Sequence, residues 1–319
     1  FVFLHGDSTM NVAASYVGVI LIWSTTALAL KWSGEGAGFL FGVAGRMAIG
    51  ALLSMALLGL LRQRLPLHRR ALHTYVAAAS GIFGAMLCVY WGAQYIPSGL
   101  VAVLFGLTPI STGVVAALWL AERSLTPSRL TGIVISLAGL VLIFHADLAL
   151  GDDAWKGFVG ALAAVFLHSF SMVWVKRLHA DLPALAISTG GMLVSVLLYG
   201  AVWLASGAEL PLEVPPRTAL SILYLAVFGS VLGFLLYYHA LKHLSAGAMA
   251  LVTLITPVLA LFIGRTFNDE HLPLDVWYGT ALVLGGLIFH QWGGQWLRRM
   301  YGASVVGLVG RTRGSDRNG

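Results

Sequence analysis

GAQYIPSGLVAVLFGLTPI at residues 92–110 and HALKHLSAGAMALVTLITPV at residues 239–258 are two versions of one pattern. Each carries a Thr-Pro pair near its end, Thr108-Pro109 in the first and Thr256-Pro257 in the second. Thirteen residues beyond each proline stands a glutamate, Glu122 and Glu270, and a glycine-containing apolar segment follows, from Gly132 and from Gly279. The correspondence reaches outward along the chain. Ser24 and Lys31 keep the spacing of Ser169 and Lys176, and Gly45-Arg46-Met47 aligns with Gly190-Gly191-Met192. Self-similarity at so long a period means two copies of one unit, and copies built of apolar spans point to a membrane transporter.

Of the 319 residues, 58% are hydrophobic and 10% charged, whereas a soluble domain carries roughly a quarter charged. About 20 apolar residues cross a hydrocarbon core of about 30 Å at about 1.5 Å per residue. Ten such spans are read, at 11–31, 38–61, 72–96, 98–121, 129–146, 155–175, 183–206, 217–241, 245–265 and 275–297. The loops between them are short and leave no room for a separate soluble catalytic domain. Five spans per copy is an odd number, so the second copy enters the membrane from the opposite face. The expected fold class is an all-α polytopic membrane protein with ten transmembrane helices in two inverted five-helix repeats, 11–146 and 155–297, joined by a short acidic loop. Inverted repeats place a substrate site near the mid-plane between the halves. Residues 1–10 read as a leader or cloning remnant with Met10 as the natural start, lacking the basic region and cleavage site of a signal peptide. Residues 298–319 read as a basic tail.

The net charge of +6 is a matter of placement. Loops after even-numbered spans, together with the tail, hold nearly all the lysines and arginines, among them Arg62, Arg64, Arg69, Arg70, Arg129, Lys176 and Arg177. The opposite loops hold Lys31, Lys156, Arg217 and Arg265. By the positive-inside rule both termini lie in the cytoplasm. The excess is thus a topology signal and not a nucleic-acid footprint, and the tail can add contacts to membrane lipid. Cys88 is the single cysteine, which excludes an internal disulfide and a thiolate metal site. No metal or cofactor is expected.

The pattern resembles the drug/metabolite transporter superfamily, of the EamA type with ten helices in two five-helix repeats. The resemblance rests on Trp23-Ser24 through Lys31, on Arg46, on the two quoted stretches and on Leu120-Ala121-Glu122-Arg123, and it covers the chain between 11 and 297. Within that family the chain is most similar to the YddG-type exporters of aromatic and other neutral amino acids. At the second glutamate, Asn268-Asp269-Glu270-His271 departs from the Gly-Glu-Arg usual in the family. The resemblance implies a multi-pass exporter in a bacterial inner membrane acting on small molecules. Nothing in the sequence decides the oligomeric state.

No aspartate or glutamate falls mid-span, whereas ion-coupled carriers usually keep one inside the bundle. That absence favours facilitated diffusion, with a histidine the main remaining route to coupling. Pro109 and Pro257 lack an N–H, which frees the carbonyls of Phe105 and Thr253. Either the Thr108 and Thr256 hydroxyls stabilise a kink, or the freed carbonyls line the pocket and accept from a substrate ammonium. Trp23, Tyr90, Trp91, Trp174, Tyr237 and Tyr238 are aromatic candidates for an apolar or aromatic substrate, against the alternative of an interfacial belt. Tyr90 and Tyr238 stand at near-equivalent places before the 3–4 and 8–9 turns and are candidate gates. His168, the counterpart of Trp23, would face the cavity from span 6, with Ser169 and Ser171 beside it as Ser24 is beside Trp23; its alternative is an interhelical hydrogen bond. Three roles are open to Arg46, about 10 Å inside its span: snorkelling, capping a helix end, or meeting a substrate carboxylate. The resemblance favours a structural one.

These residues point to alternating access through a largely apolar cavity, with aromatic and other neutral amino acids as cargo. An organic-anion or nucleotide-sugar antiporter needs several central cations, and the spans show only Arg46. An intramembrane enzyme needs a G-x-S-x-G, an H-E-x-x-H or a mid-membrane aspartate pair, and none is present.

Overall fold

A computed structural model describes residues 12–120, 127–145, 152–178, 180–243, 246–270 and 273–315, though not the side chains of 120, 144–145, 241–242, 246–251, 253–254 and 296–315. Glu122 and the side chain of Thr253 therefore lie outside what is described. In hydrocarbon a segment must satisfy its own backbone polar groups, so spans become helices. The first half comprises α1 (Val12–Gly34), α2 (Phe39–Leu60), α3 (Arg69–Ala79), a π segment (Ser80–Ala85), α4 (Met86–Gly92), α5 (Ser98–Phe105), α6 (Thr108–Leu120) and α7 (Pro127–His145). The second comprises α8 (Ala154–Leu178), α9 (Ala184–Ser206), α10 (Pro216–Tyr224), a π segment (Leu225–Leu232), α11 (Gly233–His243), α12 (Ala246–Asn268) and α13 (Leu274–Ser315). Taken as crossings, α3 through α4, α5 with α6, and α10 through α11 each count as one. Seven crossings are apolar over 22 to 25 residues, and Pro127–Ile143 and Ile255–Asn268 are shorter apolar stretches. With α13 they make ten crossings, five in each half.

The side-chain distribution is that of a protein solvated by lipid. Leu52, Leu118, Leu197 and Leu204 are exposed, whereas Ser54, Ser136, Ser169, Ser188 and Ser195 are fully buried. Lipid offers leucine as good an environment as the interior does, so interiors select small residues that bring backbones together.

The halves interleave, and the main packing pairs between them have counterparts. The first crossing of one half lies on the fourth of the other, α1 on α12 and α8 on α6. It also lies on the third, α1 on α10 and α11, and α8 on the first π segment and α4. The second crossing meets the opposite π segment, α2 on Leu225–Leu232 and α9 on Ser80–Ala85. The fifth crossings, α7 and α13, pack on each other.

The fourth crossings differ between the halves. Pro257 sits inside an unbroken α12. At Pro109 the structure departs from a kink within one helix: α5 ends at Phe105 and α6 starts at Thr108. Proline fits the first turn of a helix, where its missing N–H has no intrahelical partner to lose. The Phe105 carbonyl accepts the Thr108 hydroxyl at 2.5 Å, so this freed acceptor is already engaged.

Candidate functional site

A chamber of about 540 Å³ lies between the halves. Its wall is built from α1 (Trp23, Thr26, Ala27, Leu30), α2 (Arg46), α4 (Met86, Val89), α5 and α6 (Val101 to Ala116), α8 (His168, Met172, Val173, Lys176), α11 (Phe234, Tyr237) and α12 (Val252, Thr256, Pro257). Arg129 of α7 and His290 and Gln291 of α13 complete one end. Lys176 lines the chamber and is also exposed, so the chamber meets solvent there.

An aromatic girdle crosses the middle and takes rings from both halves. The Trp23 and Tyr237 centroids lie 5.1 Å apart. His168 stands 6.2 Å from Trp23, 5.9 Å from Tyr237 and 6.3 Å from Phe105. The Tyr237 hydroxyl donates to the Met172 sulfur at 3.0 Å. Three threonine hydroxyls are committed to backbone carbonyls three or four residues earlier: Thr26 to Ile22, Thr108 to Phe105 and Thr256 to Val252. Thr112 Oγ1 and His290 Nδ1, both buried in lining residues, have no hydrogen-bond partner. Among the described residues no aspartate or glutamate lines the chamber.

Of the residues singled out from sequence, Trp23, Phe105, Thr108, Pro109, His168, Tyr237, Thr256 and Pro257 come together on this wall. Ser24, Tyr90, Trp91, Trp174 and Tyr238 do not. The Ser24 hydroxyl bonds back to the Ile20 carbonyl at 2.6 Å. Tyr90 is buried behind the wall, its hydroxyl accepting from Arg46 at 3.5 Å. Trp91 meets Tyr95 edge-on and lines a separate cleft with Phe39 and Trp203. Trp174 packs with Trp119 and Phe170, and the Arg177 guanidinium lies over the Trp119 ring, an arrangement suited to the membrane interface. Tyr238 packs on Phe234 and Tyr237. A substrate contact was one of three roles open to Arg46 in the sequence, and sequence reasoning assigned no site role to Thr112, Arg129, Met172, Lys176, His290 or Gln291. Nothing local marks them, because their convergence depends on how the crossings pack.

Beyond the other end, polar contacts tie four crossings together. Glu270, 9% exposed, accepts from the backbone N–H groups of Ser98 at 3.0 Å and Gly99 at 3.3 Å, where α5 begins. Asn268 donates to it at 3.0 Å and the Lys31 ammonium lies 3.9 Å away. The Trp32 indole N–H donates to Asn268 at 2.9 Å. Arg217 pairs with Glu35, and the Thr218 hydroxyl donates to the Glu35 carbonyl at 2.7 Å. A carboxylate at a helix N-terminus satisfies two orphan N–H groups and the positive end of the dipole together. Glu270→Ala should loosen this end. With Cys88 replaced, a cysteine at Leu30 should react about tenfold faster with an impermeant thiol reagent applied from that side, since charged hydrogen bonds contribute about 1.5–3 kcal/mol. Unchanged labelling would show that other contacts hold this end shut.

Both halves match the EamA-like transporter family, over residues 12–145 and 155–290. The chain belongs to that family. It is accordingly a multi-pass membrane transporter and not an enzyme. The uncharacterized transporter YetK of Bacillus subtilis (strain 168) is 28% identical over 216 residues, 66% of this chain and 65% of that protein. A "Probable terminal-alkyne amino-acid exporter" of Streptantibioticus cattleyicolor is 24% identical over 286 residues, 84% of this chain and 89% of that one. A "Probable amino-acid metabolite efflux pump" of Salmonella typhimurium is 24% identical over 223 residues, 66% of this chain and 73% of that one. A solved crystal structure shares the fold over 90% of this EamA-like chain and 98% of its own, with a TM-score of 0.63 and 21% identity.

Proposed function

We propose that this EamA-like transporter exports small amphipathic metabolites, aromatic and other neutral amino acids foremost, across a bacterial inner membrane. The observation that carries the reading is the chamber between the halves: apolar, crossed by the Trp23–His168–Tyr237 girdle and free of lining carboxylates among the described residues. The similarity to proteins named as a probable terminal-alkyne amino-acid exporter and a probable amino-acid metabolite efflux pump supports a related substrate class.

The excess of lysine and arginine assigns the Arg129–Lys176 end, with both termini, to the cytoplasm. The structure is then the inward-open state, closed to the outside by the Glu270 group. Cargo enters from the cytoplasm and its apolar side chain is held by burial and ring contacts. Release of the Glu270 contacts and closure of the Arg129–Lys176 end carry it outward. With no acidic residue among the described residues of the wall to bind a coupling ion, transport runs down the substrate gradient.

Purified protein in liposomes tests the reading: labelled phenylalanine should equilibrate across the membrane at the same rate with and without a proton gradient. Absence of movement for every neutral amino acid would sink it. Trp23→Ala should raise half-saturation for phenylalanine about tenfold and for valine much less, because aromatic pairing adds about 0.5–1.5 kcal/mol beyond area burial.

An organic-anion carrier is the second reading, and one observation favours it. The sequence shows one central cation, but the fold brings Arg46, Arg129 and Lys176 to a single chamber. Faster exchange of an organic dianion than of phenylalanine in the same liposomes would select it.

A further inference from the structure

We infer that Arg46 is the chamber's carboxylate-recognition group, and that the cargo is a small carboxylate with an apolar group about one helical turn away. The inference rests on the reading of the chamber as the substrate site and names the chemistry it selects.

Arg46 is 2% exposed and lines the chamber. Its Nε donates to the Ser230 hydroxyl at 2.9 Å and its Nη1 to the Tyr90 hydroxyl at 3.5 Å. Both partners are neutral, and Arg46 belongs to none of the ion pairs among the described residues. A buried charge without a counter-charge is unfavourable, so the protein maintains a cation that an incoming carboxylate would relieve. A guanidinium presents five N–H donors in a fork that matches a carboxylate, and two of the five are committed.

A purely structural role does not explain the charge. Each π segment meets a polar side chain from the second crossing of the other half. At Ser80–Ala85 that side chain is Tyr199, whose neutral hydroxyl donates to the Phe83 carbonyl at 3.0 Å. At Leu225–Leu232 it is Arg46. A neutral donor suffices for the first contact, and the second uses a cation facing the chamber.

The neighbouring glycines locate the rest of the ligand. A Cβ at Gly229 would lie 2.9 Å from Arg46 Nη2, and one at Gly233 would lie 3.5 Å from the Trp23 indole nitrogen. These glycines are four residues apart, close to one turn in either an α or a π helix, so Arg46 and Trp23 approach the same side of this crossing about one turn apart. That separation suits the carboxylate and side chain of one small molecule. Among the described residues no lining acid waits for an ammonium, so the carboxylate and not the amine is selected.

The test uses wild-type protein in liposomes, with uptake of labelled phenylalanine competed by 3-phenylpropionate, phenylalaninamide and phenethylamine. The expected result is competition by 3-phenylpropionate and about tenfold or weaker competition by the other two, the worth of a charged hydrogen bond. Equal competition by all three overturns the inference. Arg46→Met should abolish the discrimination and Arg46→Lys should keep part of it. A folded Arg46→Met protein that still prefers 3-phenylpropionate also overturns it. If no amino acid moves, the proposed function fails by itself. Equilibrium dialysis of labelled 3-phenylpropionate against wild-type protein, with phenethylamine as competitor, then decides the role of Arg46: binding with that preference supports it, and no binding ends it.

Discussion

Gly113→Trp should reduce transport to the level of protein-free liposomes while leaving the protein folded. Gly113 lies on α6 in the chamber wall, and a Cβ built there meets no heavy atom within 4 Å. The added side chain therefore grows into the chamber without displacing backbone. An indole is among the largest side chains and takes up a substantial part of 540 Å³. Replacing glycine by tryptophan inside a helix also recovers about 0.5 kcal/mol of helix propensity, so thermal unfolding should stay near the wild-type temperature or rise. Loss of flux with an unchanged melting curve would place the path alongside α6. Wild-type flux would mean that cargo moves elsewhere.

Much of this architecture was legible in the sequence because lipid imposes it. Apolar stretches of about 20 residues must be helices, and the doubled Thr-Pro and glutamate pattern identifies two like units. Trp23 and His168, at corresponding places in the two copies, both line the chamber, their ring centroids 6.2 Å apart. What could not be read is the direction in which side chains point beyond the π segments. Counting at 3.6 residues per turn assumes an uninterrupted α-helix. Each third crossing instead contains a wider π turn, which rotates every later residue about the axis. Tyr90, Tyr237 and Tyr238 all follow such a turn. The structure puts Tyr237 on the wall, Tyr90 behind it and Tyr238 against its neighbours.

Glycine spacing was ambiguous for a related reason. Gly38 and Gly42 share the spacing of a helix-packing pair, yet only Gly42 approaches another backbone, at Ser33. Gly38 has a φ of +84° with open space around its α-carbon, so it is required by a turn. Gly229 and Gly233 have the same spacing and accommodate Arg46 and Trp23. One pattern thus serves packing, a turn and a site, and only the neighbours across the gap tell which.

Gly139→Leu should have the opposite effect to Gly113→Trp, lowering stability by about 3 kcal/mol or more, at or above the upper end of overpacking costs. A Cβ at Gly139 would lie 2.6 Å from the Gly279 carbonyl oxygen, and one at Gly279 would lie 2.7 Å from that of Gly139. Two turns away the arrangement repeats, a Cβ at Gly132 or at Gly286 lying 2.6 Å from the other's carbonyl oxygen. The obstructing atoms are backbone and cannot rotate aside, so a leucine must drive α7 and α13 apart. Separation would also break the bond from the Ser136 hydroxyl to the Val283 carbonyl, 3.2 Å long. Without a hydrophobic drive between helices in lipid, such close contact is the main force holding the pair. Gly285→Leu supplies the control, since that glycine is exposed and has nothing within 4 Å of its Cβ position. Thermal unfolding in detergent should show a large fall for Gly139→Leu and almost none for Gly285→Leu. Equal stability of the two variants would mean that the fifth crossings do not meet along the glycine seam.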